Sequence, residues 1–403
     1  MTTVAIVAVV LLLCAAGAEL AARWWLHHRS HYYVLPPGLR LRLHPDPDVF
    51  PQLERVVRFE TNSEGERGDE PPATRSGLFR ILVAGGSQPE GYLLDQETSW
   101  PGALQRLLER PEHLASLGAT RVHVGSIARS GVGSEALDLI LERVLPRYPK
   151  LSAVVILVGA SDVLRWLEFG APPSPPPPVR VSDVFRCHPE LAFGWSPRRL
   201  ALVEMVLRIR HRWLRPVEVH DRACRWVGRA RAMRARAAVI RTTTPDHGPM
   251  LAHFERHFRR ALRRAAAHAD RVIVVRQPWF ECAASAEELG LMWHGGAGQV
   301  WLENVTTFYS LDVLSDLMSL LDVRAAEIAS ELGVEQVDLM PVLEASTRTY
   351  YDFFHATPVG ARMIATAVSA AVLRTSMPSH ATPRHHETGR QVDEAAAVER
   401  KVS

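Results

Sequence analysis

Ser87 and His355 are the side chains best suited to chemistry in this sequence. Ser87 follows Gly85 and Gly86 at the end of an apolar run, and His355 lies three residues after Asp352. A serine hydroxyl becomes a nucleophile when a histidine accepts its proton, and a carboxylate can hold that imidazole in the required tautomer. The residue types therefore predict Ser87 as nucleophile, His355 as base and Asp352 as its orienting partner.

Each signal also has a purely structural interpretation. A Gly-Gly-Ser sequence is commonly a simple turn, and an aspartate three residues before a histidine often caps a helix. Taken singly, these residues leave both interpretations open.

Alternating strands and helices must position these residues, and this alternation predicts an α/β domain with a parallel sheet. Short apolar runs at 79–84, 121–124, 154–158, 271–275 and 334–339 predict five strands. Helical spacing of apolar residues predicts helices beginning at Trp100 and spanning 135–144, 251–268, 313–332 and 359–373.

The ends of the first three predicted strands carry small or polar residues. Ligands of a parallel sheet bind beyond the carboxyl ends of its strands, so we expect Ser87, Gly131 and Ser161 to face one crevice. Backbone N–H groups near Ser87 would then point toward negative charge that develops during a reaction.

Four blocks in this order resemble the SGNH hydrolases, also called the GDSL esterase and lipase family, and in particular a membrane-anchored bacterial branch with Gly-Gly-Ser at the nucleophile. The blocks are 81–91, 125–134, 155–162 and 352–360. The segment 61–68 is similar to an Asn-x-x-Gly-x-Arg-Gly element that precedes the first strand in this branch.

The resemblance implies a flavodoxin-like three-layer α/β/α fold, with Ser87, Asp352 and His355 as catalytic residues. It implies an oxyanion hole made by the backbone N–H groups of Ser87 and Gly131 and by position 161. That position is usually an asparagine whose side-chain amide donates, but here it is Ser161. Losing one oxyanion donor typically costs about 10²- to 10³-fold in rate.

Composition divides the chain into four segments. We predict an anchor and its flank at 1–29, an extended arm at 30–75, the hydrolase-like domain at 76–376 and a flexible tail at 377–403. The domain contains a Pro- and Arg-rich insertion at 168–250. Between Arg198 and Arg241 this insertion holds 13 arginines, which predicts either a surface for anionic lipid or polymer or a solvated helical face.

The first 18 residues lack charged side chains and predict one transmembrane helix, followed by Trp24 and Trp25. A cleaved signal peptide and a buried helix are the alternatives. Arg23 and Arg29 follow the segment, and by the positive-inside rule they place the main domain in the cytoplasm. The family resemblance implies the outer side instead, and we expect an extracytoplasmic domain.

The charge balance of 47 Lys plus Arg against 44 Asp plus Glu gives a net charge of +3, too small to predict nucleic-acid binding. Four cysteines without Cys-x-x-Cys spacing predict neither a disulfide framework nor a zinc site. We expect no cofactor or metal, because an acyl-serine route requires none.

We therefore expect an esterase or acyl hydrolase acting on an O-acylated glycan or small ester. The alternatives are an acetyltransferase of cell-envelope polysaccharide that uses the same residues, and a catalytically weakened binding protein. The sequence does not give the substrate or the oligomeric state.

Overall fold

A computed structural model describes residues 2–28, 31–174, 177–185, 188–189, 200–206, 216–220, 222–281 and 285–374. The predicted tail at 377–403 lies outside these residues, as do parts of the predicted insertion.

The elements follow one another in this order: α1 (Thr2–His28), β1 (Arg40–His44), β2 (Val57–Glu60), β3 (Leu78–Gly85), α2 (Ser87–Glu90), α3 (Trp100–Leu108), α4 (Pro111–Leu117), β4 (Arg121–Ser126), α5 (Ser134–Val144), a 3₁₀ turn (Leu145–Arg147), β5 (Leu151–Leu157), α6 (Ala160–Glu168), α7 (Val181–Val184), α8 (201–206), β6 (Val217–His220), α9 (Arg222–Ala235), β7 (Val239–Arg241), α10 (Gly248–His268), β8 (Ala269–Val275), α11 (Ala286–Leu291), β9 (Thr307–Tyr309), α12 (Leu311–Glu331), β10 (Glu335–Val337) and α13 (Pro358–Leu373).

The central sheet has five strands in the order β4-β3-β5-β8-β10, and every neighbouring pair is parallel. Numbered by their appearance within this sheet, the strands run 2-1-3-4-5, which is the flavodoxin-like order. The predicted fold class is therefore confirmed. In this order the chain reverses direction across the sheet between β3 and β5, and ligands bind at such a switch point.

Burial explains why β5 and the second half of β3 are almost free of polar residues. In β5 only Ser152 is partly exposed, and β3 ends in a run of fully buried residues. Helices α3 and α13 pack together, while α5, α10 and α12 form a second packed group. The two groups cover the two faces of the sheet, so strands such as β5 are apolar on both sides.

The predicted arm pairs with the predicted insertion. Strand β1 lies antiparallel to β2 and parallel to β6, which belongs to the insertion, in a separate three-stranded sheet. A further parallel pair, β7 with β9, was not predicted. These strands have only three to five residues, and their partners are distant in sequence, so period-2 patterning gives little signal.

Helix α1 is long and apolar enough, over Thr3–His28, to span a membrane. Near its end, Glu19 accepts hydrogen bonds from the backbone N–H groups of Ala201 and Leu202 at 2.8 and 3.1 Å. Ala22 and Leu26 pack on Ala201. The start of α8 therefore lies against the last turns of α1.

Gly85 allows the backbone of β3 to run close to β5 just before Ser87. A Cβ atom at Gly85 would lie 1.9 Å from the carbonyl oxygen of Leu157, and the φ angle of +151° is also unusual for other residues. Because that oxygen belongs to the backbone of β5 and cannot rotate away, a side chain at position 85 requires β3 and β5 to separate.

We predict that Gly85→Ala lowers the free energy of unfolding by about 3 kcal/mol or more, from overpacking together with backbone strain. Gly118→Ala is the matched control, since Gly118 has a φ of +60° but no atom within 4 Å of the added Cβ. We expect it to cost only about 1–2 kcal/mol. Urea unfolding of the detergent-solubilised chain measures both, and equal losses would contradict this account.

Candidate active site

A cavity of about 500 Å³ opens beyond the carboxyl ends of the central strands. Its lining includes all five residues that the sequence predicts for the site: Ser87, Gly131, Ser161, Asp352 and His355. Ser87 begins α2 directly after β3, Gly131 follows β4, and Ser161 lies in the first turn of α6 after β5. The switch point of the sheet thus brings together residues from four distant parts of the chain.

Ser87, His355 and Asp352 form a continuous chain of hydrogen bonds. The Ser87 hydroxyl lies 2.7 Å from His355 Nε2, and His355 Nδ1 lies 2.8 and 2.9 Å from the two carboxylate oxygens of Asp352. With a proton on Nδ1 donated to Asp352, Nε2 is the acceptor for the serine hydroxyl. This is the geometry of a nucleophile, its base and the group that orients the base.

The turn that carries Asp352 explains why its carboxylate faces His355. Asp352 Oδ1 accepts hydrogen bonds from the backbone N–H groups of Phe354 and His355, both at 2.9 Å. Asp352 Oδ2 accepts one from the indole N–H of Trp293 at 3.0 Å. The aspartate therefore closes its own turn, rather than capping a helix, and also binds the imidazole of His355.

Trp293 was not predicted as a site residue. It lies 59 positions from Asp352 in a region without periodic patterning, so no local signal indicates the contact. Four aromatic residues beside the Ser87–His355–Asp352 triad, Tyr350, Tyr351, Phe353 and Phe354, are all buried. The ring of Tyr351 stacks on His355 with centroids 5.5 Å apart.

The pKa values of the triad depend on burial and on the close ion pair. Burial by itself lowers the pKa of His355, but the charge and hydrogen bond of Asp352 outweigh it and leave the pKa raised above 6.5. Burial acts to raise the pKa of Asp352, but His355, His294 and the hydrogen bonds hold it well below its usual range. Asp352 therefore stays ionised and favours the imidazolium form of His355.

The loop that carries Gly131 is tied to the helix that carries Ser87. Glu90, at the end of α2, accepts hydrogen bonds from the backbone N–H of Ser130 at 2.8 Å and from the Ser130 hydroxyl. Gly131 has a φ of +80°, which glycine adopts without strain. Ser87 is the first residue of α2, so its backbone N–H has no acceptor within that helix and can donate to an oxyanion.

A second tie joins the loop after β4 to α6. Asp162 accepts hydrogen bonds from the Ser134 hydroxyl at 2.6 Å and from its backbone N–H at 2.9 Å. This holds the start of α5 against the turn that carries Ser161. The Ser161 hydroxyl is near the nucleophile turn, since a Cβ atom built on Gly86 would lie 3.7 Å from it.

The arm supports the nucleophile turn through Arg67. This buried guanidinium donates to the carbonyl oxygens of Glu90, Gly91 and Leu94, at 2.8 Å to Gly91 and 2.6 Å to Leu94. Burial lowers the pKa of Arg67 to about 10, against the charges of Glu90 and Asp95. Arg67 is the arginine of the Asn-x-x-Gly-x-Arg-Gly element in the arm. Its hydrogen bonds to the turn that follows Ser87 give this element a structural role.

Insertion helix α9 forms part of the cavity wall. Trp226 and Val227 from this helix line the cavity, together with Trp293 and Trp301. Glu168 also lines it, and burial raises the pKa of that carboxyl to about 8 against the opposing charge of Arg165. Several aromatic side chains therefore line the cavity, and burial disfavours the charged form of Glu168.

Two arginines of α9 hold the loops that carry site residues. Arg231 donates to the carbonyl oxygens of Leu291 at 3.0 Å and Tyr351 at 3.3 Å. Arg234 donates to the carbonyl oxygens of His294 at 2.6 Å and Tyr309 at 3.0 Å. Within the described part of the insertion, these arginines are structural ties, a role that neither sequence interpretation of the arginine run anticipated.

His294 is a buried imidazole beside the triad. It stacks on Trp293 at 3.7 Å between ring centroids, and its ring nitrogens have no hydrogen-bond partner among the described residues. Burial lowers its pKa to about 3, so it is neutral at physiological pH. Its nitrogen, with atoms of Asp352 and His355, forms a group compact enough to hold a metal ion, but the hydrogen bonds within the triad already engage the other two residues.

Comparisons with known proteins give a general likeness of fold. No protein-family model matches the chain, and no curated protein matches it in sequence. An acetylxylan esterase from Geobacillus stearothermophilus is 13% identical with a TM-score of 0.38, covering 73% of this chain and 93% of that one.

Two other solved structures give similar values. A member of the lipolytic protein G-D-S-L family from Veillonella parvula is 9% identical with a TM-score of 0.38, covering 74% of this chain and 99% of that one. An alpha/beta hydrolase from the metagenome of Lake Arreo, Spain, is 13% identical with a TM-score of 0.38, covering 73% and 94%.

We predict that Asp352→Asn lowers the pKa of His355 from above 6.5 to below it, because burial then acts without the opposing carboxylate charge. Titration of ¹⁵N-histidine signals by NMR measures this, with His355→Gln to assign the signal. Asp338→Asn, an exposed aspartate that pairs with Arg276, is the control and leaves the titration unchanged. A pKa of His355 below 6.5 in the wild-type protein would contradict the proposed effect of the Asp352 carboxylate.

Proposed function

We propose that this protein is a membrane-anchored serine esterase of the SGNH type that works through an acyl-Ser87 intermediate. The hydrogen-bonded chain Ser87–His355–Asp352 in the lining of the cavity carries this proposal. The four sequence blocks add support, because the residues that they match to family roles line one cavity.

The proposed reaction begins with the Ser87 hydroxyl oxygen attacking the ester carbonyl carbon while His355 Nε2 takes the hydroxyl proton. The carbonyl oxygen becomes an oxyanion that the N–H groups of Ser87 and Gly131 stabilise. When the carbon–oxygen bond to the leaving alcohol breaks, His355 returns the proton to that oxygen. Water then attacks the acyl-serine by the same route and releases the acid.

The cavity favours an ester with a bulky group of mixed polarity. A volume of about 500 Å³ greatly exceeds that of an acetyl group, so most of the cavity would accommodate the rest of the substrate. Indole rings such as those of Trp226, Trp293 and Trp301 stack on the apolar C–H faces of sugar rings, while their edges interact with polar groups. An O-acylated glycan fits this lining and is the substrate class we propose.

Helix α1 supports membrane anchoring by its length and apolar surface. We propose that it is retained and that the domain lies outside the cytoplasmic membrane, where O-acylated envelope glycans occur. Arg23 is the nearest described basic residue that opposes this orientation, and it is engaged by Glu19 at 2.8 Å.

We predict that the detergent-solubilised protein hydrolyses p-nitrophenyl acetate and that Ser87→Ala lowers kcat/KM by at least about 10³-fold. Ser116→Ala, an exposed serine on α4, is the matched control and retains full activity. Hydrolysis that survives Ser87→Ala would contradict the proposal. If acetyl transfer to an added oligosaccharide replaces acetate release, the same serine chemistry serves a transferase.

We predict that Ser161→Asn raises kcat by up to about 10²-fold, because an amide at position 161 supplies an oxyanion donor that the shorter hydroxyl does not. Ser161→Ala is the control and changes kcat by much less than tenfold. Steady-state kinetics with the same ester measures both variants. A fall in kcat in Ser161→Asn would show that position 161 does not face the oxyanion.

We predict that alkaline phosphatase fused to the C-terminus is active in bacterial cells, since that reporter functions only outside the cytoplasm. A fusion of green fluorescent protein at the same point is the converse control and stays dark when exported through the Sec machinery. Bright fluorescence with an inactive phosphatase would place the domain in the cytoplasm.

A further inference from the structure

A second group of chemically active side chains lies between α5 and α10, apart from the Ser87 triad. His253 and His257 are four residues apart on α10, and Glu135 lies in the first turn of α5. One ligand atom of each residue lies within 4.8 Å of the other two. We propose that Glu135, His253 and His257 bind a divalent transition-metal ion, and that Zn²⁺ is the best match.

The spacing along α10 provides two imidazoles on one face of a helix. Residues four apart on a helix are neighbours, and a His-x₃-His pair on one face is a recurrent zinc-binding arrangement. The two rings are close, with centroids 4.7 Å apart. The two imidazoles can therefore bind the same metal ion, if that ion prefers nitrogen ligands.

Glu135 supplies a third ligand at a suitable distance. Its Oε1 accepts a hydrogen bond from the backbone N–H of Val179 at 3.0 Å, which fixes the carboxylate. Its Oε2 lies 3.4 Å from His253 Nε2. Two ligand atoms bound to zinc at about 2.0–2.1 Å with a tetrahedral angle are roughly 3.3 Å apart, so an ion fits between them with little movement.

The neighbouring groups resemble the outer shell of a metal site. The carboxylate of Asp138 lies 3.2 Å from His257 Nδ1, the carboxylate–histidine contact that orients metal ligands. Arg260 and Arg264 direct their positive charge to Asp138, at 3.2 and 2.8 Å, rather than to Glu135. No hydrogen bond holds Nδ1 of His253 among the described residues, so its tautomer is free to adjust to an ion.

A small cavity beside these residues has room for a coordinated water. It measures about 40 Å³ and is lined by Glu135 and His253, together with Ser161 and Asp162. One or two waters fit this volume. Two histidines, one carboxylate and one water complete a four-coordinate zinc site.

The proposed ion would fix the first turn of α5 to α10. Glu135 follows Ser134, which Asp162 holds against α6, and it lies four residues after Gly131. The proposed metal site therefore stabilises the segment from Gly131, a proposed oxyanion donor, to Glu135 at the start of α5. This role is structural and does not depend on the proposed esterase activity.

The test is zinc binding by the full-length protein without an affinity tag, after chelator treatment and in detergent. We expect about one equivalent of Zn²⁺ by calorimetry and metal analysis, together with a rise in Tm when Zn²⁺ is added. His257→Ala and Glu135→Gln lose the bound ion and the rise in Tm. His268→Ala, on the same helix with its ring held by the carbonyl oxygen of Arg264, is the matched control and retains both.

Two additional measurements test whether other histidines bind the ion and which coordination geometry the site has. Because His385 and His386 are adjacent in sequence, all variants are also made in a chain with both changed to alanine, where the same results are expected. In the chain where only His385 and His386 are changed to alanine, bound Co²⁺ gives the visible absorption of a tetrahedral complex. Added Zn²⁺ displaces the Co²⁺ and removes this absorption. The proposal is overturned if zinc does not bind, if binding survives His257→Ala, or if the cobalt complex is octahedral.

Discussion

The hydrogen bond between Ser87 and His355 sets the strictest demand on this fold. It joins residues 268 positions apart at 2.7 Å, so the end of the first central strand and the turn after the last one must meet at one edge of the sheet. The strand order β4-β3-β5-β8-β10 makes this possible, because every central strand points its carboxyl end to the same edge. Glycine at position 85 lets β3 approach β5 closely enough to present Ser87 there.

The elements around this hydrogen bond are held by groups that are themselves buried and paired. Arg67 fixes the turn after Ser87, Glu90 fixes the loop that carries Gly131, and Trp293 fixes Asp352. Each is a polar group whose burial is compensated by defined partners, as required when water is excluded. A site of this kind keeps its donors and acceptors in place before a substrate arrives.

Most strands and helices of the central domain were predictable from the sequence, because apolar runs and helical spacing are local signals. Apolar runs such as 154–158 and the helical spacing of 251–268 correspond to β5 and α10 within a few residues. The polar strand ends correctly indicated one crevice for Ser87, Gly131 and Ser161.

Contacts without a local signal were not predictable. Trp226 and Trp293 reach the cavity from the insertion and from a loop, and the arginines of α9 bind carbonyl oxygens 60 to 182 positions away. An arginine run in a sequence does not reveal whether its charges face solvent or tie loops together. The shape of the cavity depends on these contacts, which is why the sequence left the substrate open.

Labelling with a fluorophosphonate tests the central claim most directly, because the probe forms a covalent bond only with an activated serine. The account predicts one adduct per chain, mapped by mass spectrometry to the peptide containing Ser87 and absent in His355→Ala. An unlabelled wild-type protein, under conditions where other serine esterases react, would contradict it, as would an adduct on a different serine.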